Sequence, residues 1–126
     1  MTPVRLVLDH AGLVVSDLAK SRAFYEAALR PLGFTLLYFT DTRASFGLEH
    51  ADDFGITAGS PVTHNAHIAF VALNEEAVRG FYAAALSVGG RDNGAPGLHL
   101  EYHPTYFGAF VFDPDGNNIE AVFHGR

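Results

Sequence analysis

The chain repeats itself. His10-Ala11-Gly12-Leu13-Val14-Val15-Ser16-Asp17 returns as His67-Ile68-Ala69-Phe70-Val71-Ala72-Leu73-Asn74, an offset of about 57 residues. The same offset, with no gap, carries Phe24-Tyr25 onto Phe81-Tyr82, Ala28-Leu29 onto Ala85-Leu86 and Gly33 onto Gly90. Self-similarity at a fixed spacing marks a repeated structural unit. Each copy opens with an apolar run holding a histidine near its start. A polar cap, an apolar-periodic helix with Phe-Tyr and a glycine follow. The chain therefore reads as two copies of one unit, with His10 and His67 in equivalent places.

The elements of each copy follow from local pattern. Leu6 to Val15 reads as a strand, and alternation puts Leu8, His10, Gly12 and Val14 on one face and Ala11, Leu13 and Val15 on the other. Ser16 or Asp17 caps a helix from about Leu18 to Leu29, whose Leu18, Phe24, Tyr25, Ala28 and Leu29 face the sheet. Pro31 and Gly33 end it. Three short strands follow, Phe34 to Phe39, Ala44 to Leu48 and Phe54 to Ala58, and Gly59-Ser60-Pro61 separates the copies.

The second copy begins with a strand from about His64 to Leu73. Asn74 caps a helix from Glu75 to Ser87, with Val78, Phe81, Tyr82, Ala85 and Leu86 as its apolar stripe and Gly89-Gly90 as its stop. Arg91 to Pro104, with Gly94, Pro96 and Gly97, reads as a short strand and then a loop. Tyr106 to Phe112 and Asn118 to His124 form a hairpin across Asp113-Pro114-Asp115-Gly116, which has the Pro and Gly of a type I turn. That turn lacks the spaced oxygen ligands and terminal Glu of a calcium loop.

Glu120 is the residue that asks for chemistry. It interrupts Ile119-Glu120-Ala121-Val122-Phe123, a strand whose other face is apolar and packs under a helix. Burying a carboxylate there without a partner costs several kcal/mol, on the order of a lost buried ion pair. If the sheet is curved, Glu120, His10 and His67 point into one cup. Two imidazoles and a carboxylate are the ligand set of a divalent-metal site with open positions. The competing reading makes His10 and His67 structural and gives Glu120 a cationic partner. The duplication favours the metal, because both histidines hold the same place. His50 and His64 read as exposed, and His124 as an outer neighbour of Glu120 or an exposed residue. His99 and His103, with Glu101, Tyr102 and Tyr106, lie on a loop that reads as solvated or as reaching over the cup.

Other classes find little support. A net charge of −6 with eight scattered Lys and Arg gives no nucleic-acid surface. With no cysteine there are no disulfides, thiolate metal sites or cysteine nucleophile, which fits a reducing compartment. The apolar runs are too short to span a bilayer, and Asp9-His10 interrupts the run from Val4 to Leu8 before a signal-peptide core forms. The expectation is a cytoplasmic protein with no membrane and no nucleic-acid partner. There is no Gly-x-Ser-x-Gly elbow, phosphate loop or dinucleotide fingerprint.

Several motifs together resemble one family. Asp9-His10-Ala11-Gly12-Leu13-Val14-Val15-Ser16-Asp17, Ser21-Arg22-Ala23-Phe24-Tyr25 through Leu32-Gly33-Phe34, the His67 strand, and Phe112-Asp113-Pro114-Asp115-Gly116-Asn117-Asn118-Ile119-Glu120 carry the likeness. They resemble the vicinal oxygen chelate superfamily, the glyoxalase/bleomycin resistance/dioxygenase proteins. The resemblance implies an α+β fold in which two βαβββ modules, about 4–59 and 62–125 of one domain over 1–126, form a cupped mixed sheet with helices on the outer face. It implies a divalent ion (Zn, Ni, Mn or Fe(II)) on His10, His67 and Glu120, with Glu120 also the candidate catalytic carboxylate. A fourth ligand position falls on Gly55 or Ile56, neither of which can bind through its side chain. That departure weakens a four-ligand glyoxalase I reading.

Two functions stand open on these grounds. One is a metal-dependent enzyme acting on a small oxygen-rich substrate, of isomerase/lyase, thiol-transferase or dioxygenase type. In it Phe107, facing the cup by hairpin parity, walls the pocket while Tyr102 and His103 close it. The other is a metal-free, bleomycin-resistance-like protein that sequesters an aromatic or cationic molecule in a Phe- and Tyr-lined cup. A homodimer is expected in either case, because the family often builds its cup across two chains.

Overall fold

Residues 7–126 are described in the computed structural model of the chain. The part of the first strand and module expected before residue 7, Leu6 included, lies outside the described residues. The elements run β1 (Ala11–Val15), α1 (Leu18–Leu29) with a 3-10 turn (Arg30–Leu32), β2 (Thr35–Phe39), β3 (Arg43–Gly47), β4 (Phe54–Ala58), β5 (His67–Val71), α2 (Glu75–Ser87), β6 (Arg91–Leu98), β7 (Phe107–Phe112) and β8 (Asn118–Phe123). This is βαβββ twice. The strands form two four-stranded mixed sheets, ordered β1-β4-β3-β2 and β5-β8-β7-β6, with β1 parallel to β4 and β5 parallel to β8. The architecture is α+β.

Both helices start where the repeat places their caps. The Asp17 carboxylate accepts from the Lys20 amide at 3.0 Å, and the Asn74 side chain accepts from the Ala77 amide at 2.8 Å. Each satisfies an amide that the first helical turn leaves unpaired. Gly33 closes the 3-10 turn at φ 91°, a conformation that favours glycine. At Gly90 the reason is space: a Cβ would lie 2.6 Å from the Ala85 carbonyl oxygen and 2.8 Å from the Phe24 ring.

One core serves both modules. Phe24, Tyr25 and Leu29 of α1 are inaccessible, as are Val78 and Phe81 of α2, and they pack with Phe46, Phe54, Ile56 and Ile119 of the sheets. Full burial of each such side chain stabilises the fold by about 1.5–3 kcal/mol. Phe70 of β5 meets Phe34 and Phe54 of the first module edge-on at 5.5 and 5.4 Å, a favoured aromatic geometry. Leu86, the repeat of buried Leu29, is exposed.

The Asp113 turn joins the halves. Asp113 and Asn117 are both buried. Asp113 accepts from the Asp115 and Asn117 amides at 3.0 and 2.8 Å, and from Tyr25 Oη across the module boundary at 2.5 Å. Asn117 in turn accepts from the Ala66 amide and donates to the Thr63 carbonyl.

Several strand ends shift by a residue from the sequence reading, and three strands differ by more. β1 begins at Ala11 and leaves His10 before the strand, and β5 begins at His67 rather than His64. Each runs only as long as its parallel partner, β4 or β8, pairs with it. β6 spans eight residues instead of forming a short strand and a loop. It is an edge strand with irregular register around Gly94, the setting in which a sheet accepts Pro and Gly.

Candidate metal and substrate site

The second module carries a buried carboxylate at an open surface. Glu120 lies between Ala69 of β5 and Phe110 of β7, on the sheet face opposite the core residues Ile119 and Ala121. Its Oε1 stands 2.8 Å from His67 Nε2. The Glu120 side chain is 1% exposed and that of His67 54%. Tyr106 donates its phenol to the other carboxylate oxygen, Oε2. Burial, then the bond to Glu120, raises the Tyr106 phenol far above its ordinary value, so it remains a donor at any physiological pH. Gly108 makes room for this pair: a Cβ there would approach the Tyr106 ring to 3.2 Å and Glu120 Oε2 to 3.3 Å. Among the described residues, the ion-pair partner of Glu120 is His67, with no Lys or Arg in reach.

An aromatic wall rises beside this group. His99 meets Phe110 edge-on at 5.1 Å and stacks on Tyr102 at 5.9 Å, and Tyr102 lies 4.7 Å from Tyr106. The His99 amide bonds the Tyr106 carbonyl at 2.8 Å, so the segment between them is a tight closure. His99 belongs to the wall rather than to a solvated loop. His103 Nε2 is 2.9 Å from His124 Nδ1, and both rings pack on Tyr106. Desolvation, then the positive charge of Arg126, then His124, lowers the His103 pKa. Tyr102 and His103 therefore border the Glu120 face.

Phe107 does not face the cup. β7 and β8 pair Phe110 with Glu120 and Phe107 with Phe123, and cross-strand partners share a face. Phe107 therefore sits with Ala109 and Val111 on the helix side, buried in the core beneath the Arg79 guanidinium. The expected hairpin parity was off by one residue. Tyr106, Gly108 and Phe110 occupy the cup face. Counting back from Glu120 through the turn exposes Tyr106, a signal that the sequence reading passed over.

His10 stands apart from His67 and Glu120. Its Nδ1 lies 2.7 Å from Asp9, and both side chains are exposed. Among the described residues, no three His, Asp or Glu side chains converge as a metal set. His10 borders a cleft of about 310 Å³ between the modules, lined also by Phe34, Phe54, Phe70 and Val71. It borders a second hollow of about 260 Å³ on its own sheet.

Register also resolves the fourth ligand position. Gly12 pairs with Gly55, and its repeat Ala69 pairs with Glu120. Gly55, not Ile56, is the counterpart of Glu120, and Ile56 is buried in the core. The Arg43 guanidinium lies against Gly55, 3.1 Å from where its Cβ would be. Sequence reasoning missed Arg43. Its signal was the alternation Arg43-Ser45-Gly47 against the apolar Ala44 and Phe46.

Comparison with known proteins agrees with this architecture. The family model described as Glyoxalase/Bleomycin resistance protein/Dioxygenase superfamily matches residues 7–121. A glyoxalase/bleomycin resistance protein from Albidiferax ferrireducens T118 superposes with a TM-score of 0.82 at 32% identity, over 92% of this chain and 98% of that one. A glyoxalase-related enzyme from Fulvimarina pelagi gives 0.72 at 17% identity, over 93% and 87%. A V278E glyoxalase I mutant from Zea mays gives 0.68 at 23% identity, over 90% of this chain and 43% of that one. Among the curated proteins, no sequence matches. No helix among the described residues is long and apolar enough to cross a membrane.

Proposed function

The chain belongs to the Glyoxalase/Bleomycin resistance protein/Dioxygenase superfamily, and from that premise we propose that it is a divalent-metal-dependent enzyme acting on a small, oxygen-rich substrate. One observation carries the reading. A carboxylate 1% exposed, without a Lys or Arg partner among the described residues, sits 2.8 Å from a half-exposed imidazole. A buried anion of this kind is stable when a cation completes it. An imidazole nitrogen and a carboxylate oxygen suit Zn, Ni, Mn or Fe(II).

His67 and Glu120 would hold the ion, with His10 of a second copy as the third donor. When bound, such an ion supplies Lewis-acid stabilisation of charge developing on a substrate oxygen. The chain's own residues do the rest. Tyr106 fixes Glu120 Oε2 and leaves Oε1 turned to His67, so the ligand pair is oriented in advance. Tyr102, His99 and Phe110 give a substrate an apolar wall and keep water from it. Glu120 is the candidate proton carrier. Gly55 gives module one no carboxylate ligand, which turns the reaction away from four-ligand isomerase chemistry and toward thiol transfer or dioxygenation. We assign the protein to the cytoplasm, in keeping with its lack of cysteine, and to a homodimer, which would bring His10 of one copy to His67 and Glu120 of the other.

Elemental mass spectrometry of protein purified without chelator or His tag tests this. Stoichiometric divalent metal, lost in His67→Ala and in His10→Ala, is expected. Full retention in both variants sinks the proposal. Co-expressing the two variants as mixed dimers should restore part of the metal if His10 acts across chains. The aromatic wall favours a second reading, a metal-free protein that sequesters a flat small molecule; ligand affinity unchanged by chelation would select it.

A further inference from the structure

The cup-facing side of the first module carries a positive charge where the second carries a negative one. Arg43 opens β3 opposite Thr57, and Thr57 pairs onward with Val14. Ser45, two residues along β3 on the same face, pairs with Gly55. Gly55 holds the place of Glu120, and Arg43 Nη2 would lie 3.1 Å from a Cβ there. A guanidinium thus covers the position where the repeat would set a carboxylate.

Two buried donors on this face, Arg43 Nε and Ser45 Oγ, have no hydrogen-bond partner among the described residues. Arg43 has one carboxylate near it, Asp52, at 3.8 Å, and both side chains are nearly half exposed. Such a pair contributes little. In front of Arg43 lies the hollow of about 260 Å³ bordered by His10, Gly12, Val14, Gly55 and Thr57. Two adjacent glycines leave its floor open to the backbone. A planar guanidinium with unused donors is suited to an oxyanion, which it can bind through two parallel hydrogen bonds.

We propose that Arg43 and this hollow form an oxyanion subsite that takes the carboxylate, or a phosphoryl group, of a small substrate. The inference deepens the enzyme reading above, because His10 borders the same hollow. Anion binding on this face needs no metal, however, so the two readings fail separately.

Calorimetric titration of chelator-treated protein with propionate and with inorganic phosphate tests it. Saturable binding is expected for at least one anion. Arg43→Gln should weaken it about tenfold or more, the scale of one charge-assisted contact. Gly55→Asp keeps the guanidinium but gives it an internal carboxylate, and should weaken binding by at least as much. Tighter propionate assigns a carboxylate, and tighter phosphate a phosphoryl group. Binding unaltered in both Arg43→Gln and Gly55→Asp, or no saturable binding of either anion, overturns the proposal. Retained anion binding in a protein that takes up no metal would leave this subsite standing while the metal reading falls.

Discussion

Tyr25 in α1 donates a 2.5 Å hydrogen bond to Asp113, just past β7, and so ties the helix of the first module to the hairpin of the second. Both groups are buried. Burial, then the Asp113 charge, raises the Tyr25 phenol well above its ordinary value, which keeps it protonated as the donor. Asp113 takes further bonds from its own turn. The turn is thus a structural joint, and its carboxylate is committed to that role.

Tyr25→Phe removes this bond and leaves one buried carboxylate oxygen short of a donor. A loss of about 1–3 kcal/mol follows from that desolvated acceptor. Denaturant unfolding of the variant checks it: the midpoint should fall with little change in slope. An unchanged midpoint would mean that water or a shifted Asn117 replaces the phenol.

The repeat made much of the fold legible, because equivalent residues do equivalent local work. Asp17 and Asn74 cap their helices alike, and both helices span the residues that the apolar periodicity indicates. What stayed hidden depends on pairing between distant segments. The length of β1 is set by β4, the face of Phe107 by the register of β7 on β8, and the partner of Asp113 by a helix 88 residues away in sequence. β6 was obscured because Gly94, Pro96 and Gly97 are breakers in isolation, yet an edge strand tolerates them. In the site, the sequence reading set His10, His67 and Glu120 in one cup, whereas the fold brings His67 and Glu120 together and leaves His10 apart, and Arg43 stood out only once Gly55 was placed.

Asn74→Ala and Asp17→Ala should destabilise by similar amounts, about 1 kcal/mol each, the usual worth of an N-cap side chain. Thermal unfolding of the two variants and their double checks this. The capped amides lie in different modules, so the losses should add. A far larger loss for one would show that its cap does more than satisfy an amide.

Acid should destabilise the fold through His103. Its pKa is lowered in the fold by desolvation, by Arg126 and by His124. The unfolded chain takes up this proton near the ordinary value of 6.5, while the folded chain takes it up at lower pH. Stability from this group is therefore whole above 6.5 and is lost as pH falls through the lower folded value. Melting temperatures across that window should fall less steeply in His103→Asn than in the parent. Equal slopes would remove His103 from the account.

Glu120 sets stability against function. Its carboxylate is held by Tyr106 and His67 but, among the described residues, has no Lys or Arg beside it. Glutamine has nearly the same shape, can still accept from Tyr106, and carries no charge to desolvate. Glu120→Gln should therefore raise the melting temperature of chelator-treated protein, as replacing an undercompensated buried charge often does. It should also abolish metal uptake. Tyr106→Phe leaves the charge and removes a donor, so it should lower the melting temperature by the cost of a buried acceptor, about 1–3 kcal/mol. Opposite shifts in the two variants would identify Glu120 as a residue retained for what it binds. A fall in both would mean that the carboxylate is a structural acceptor whose charge the fold already offsets.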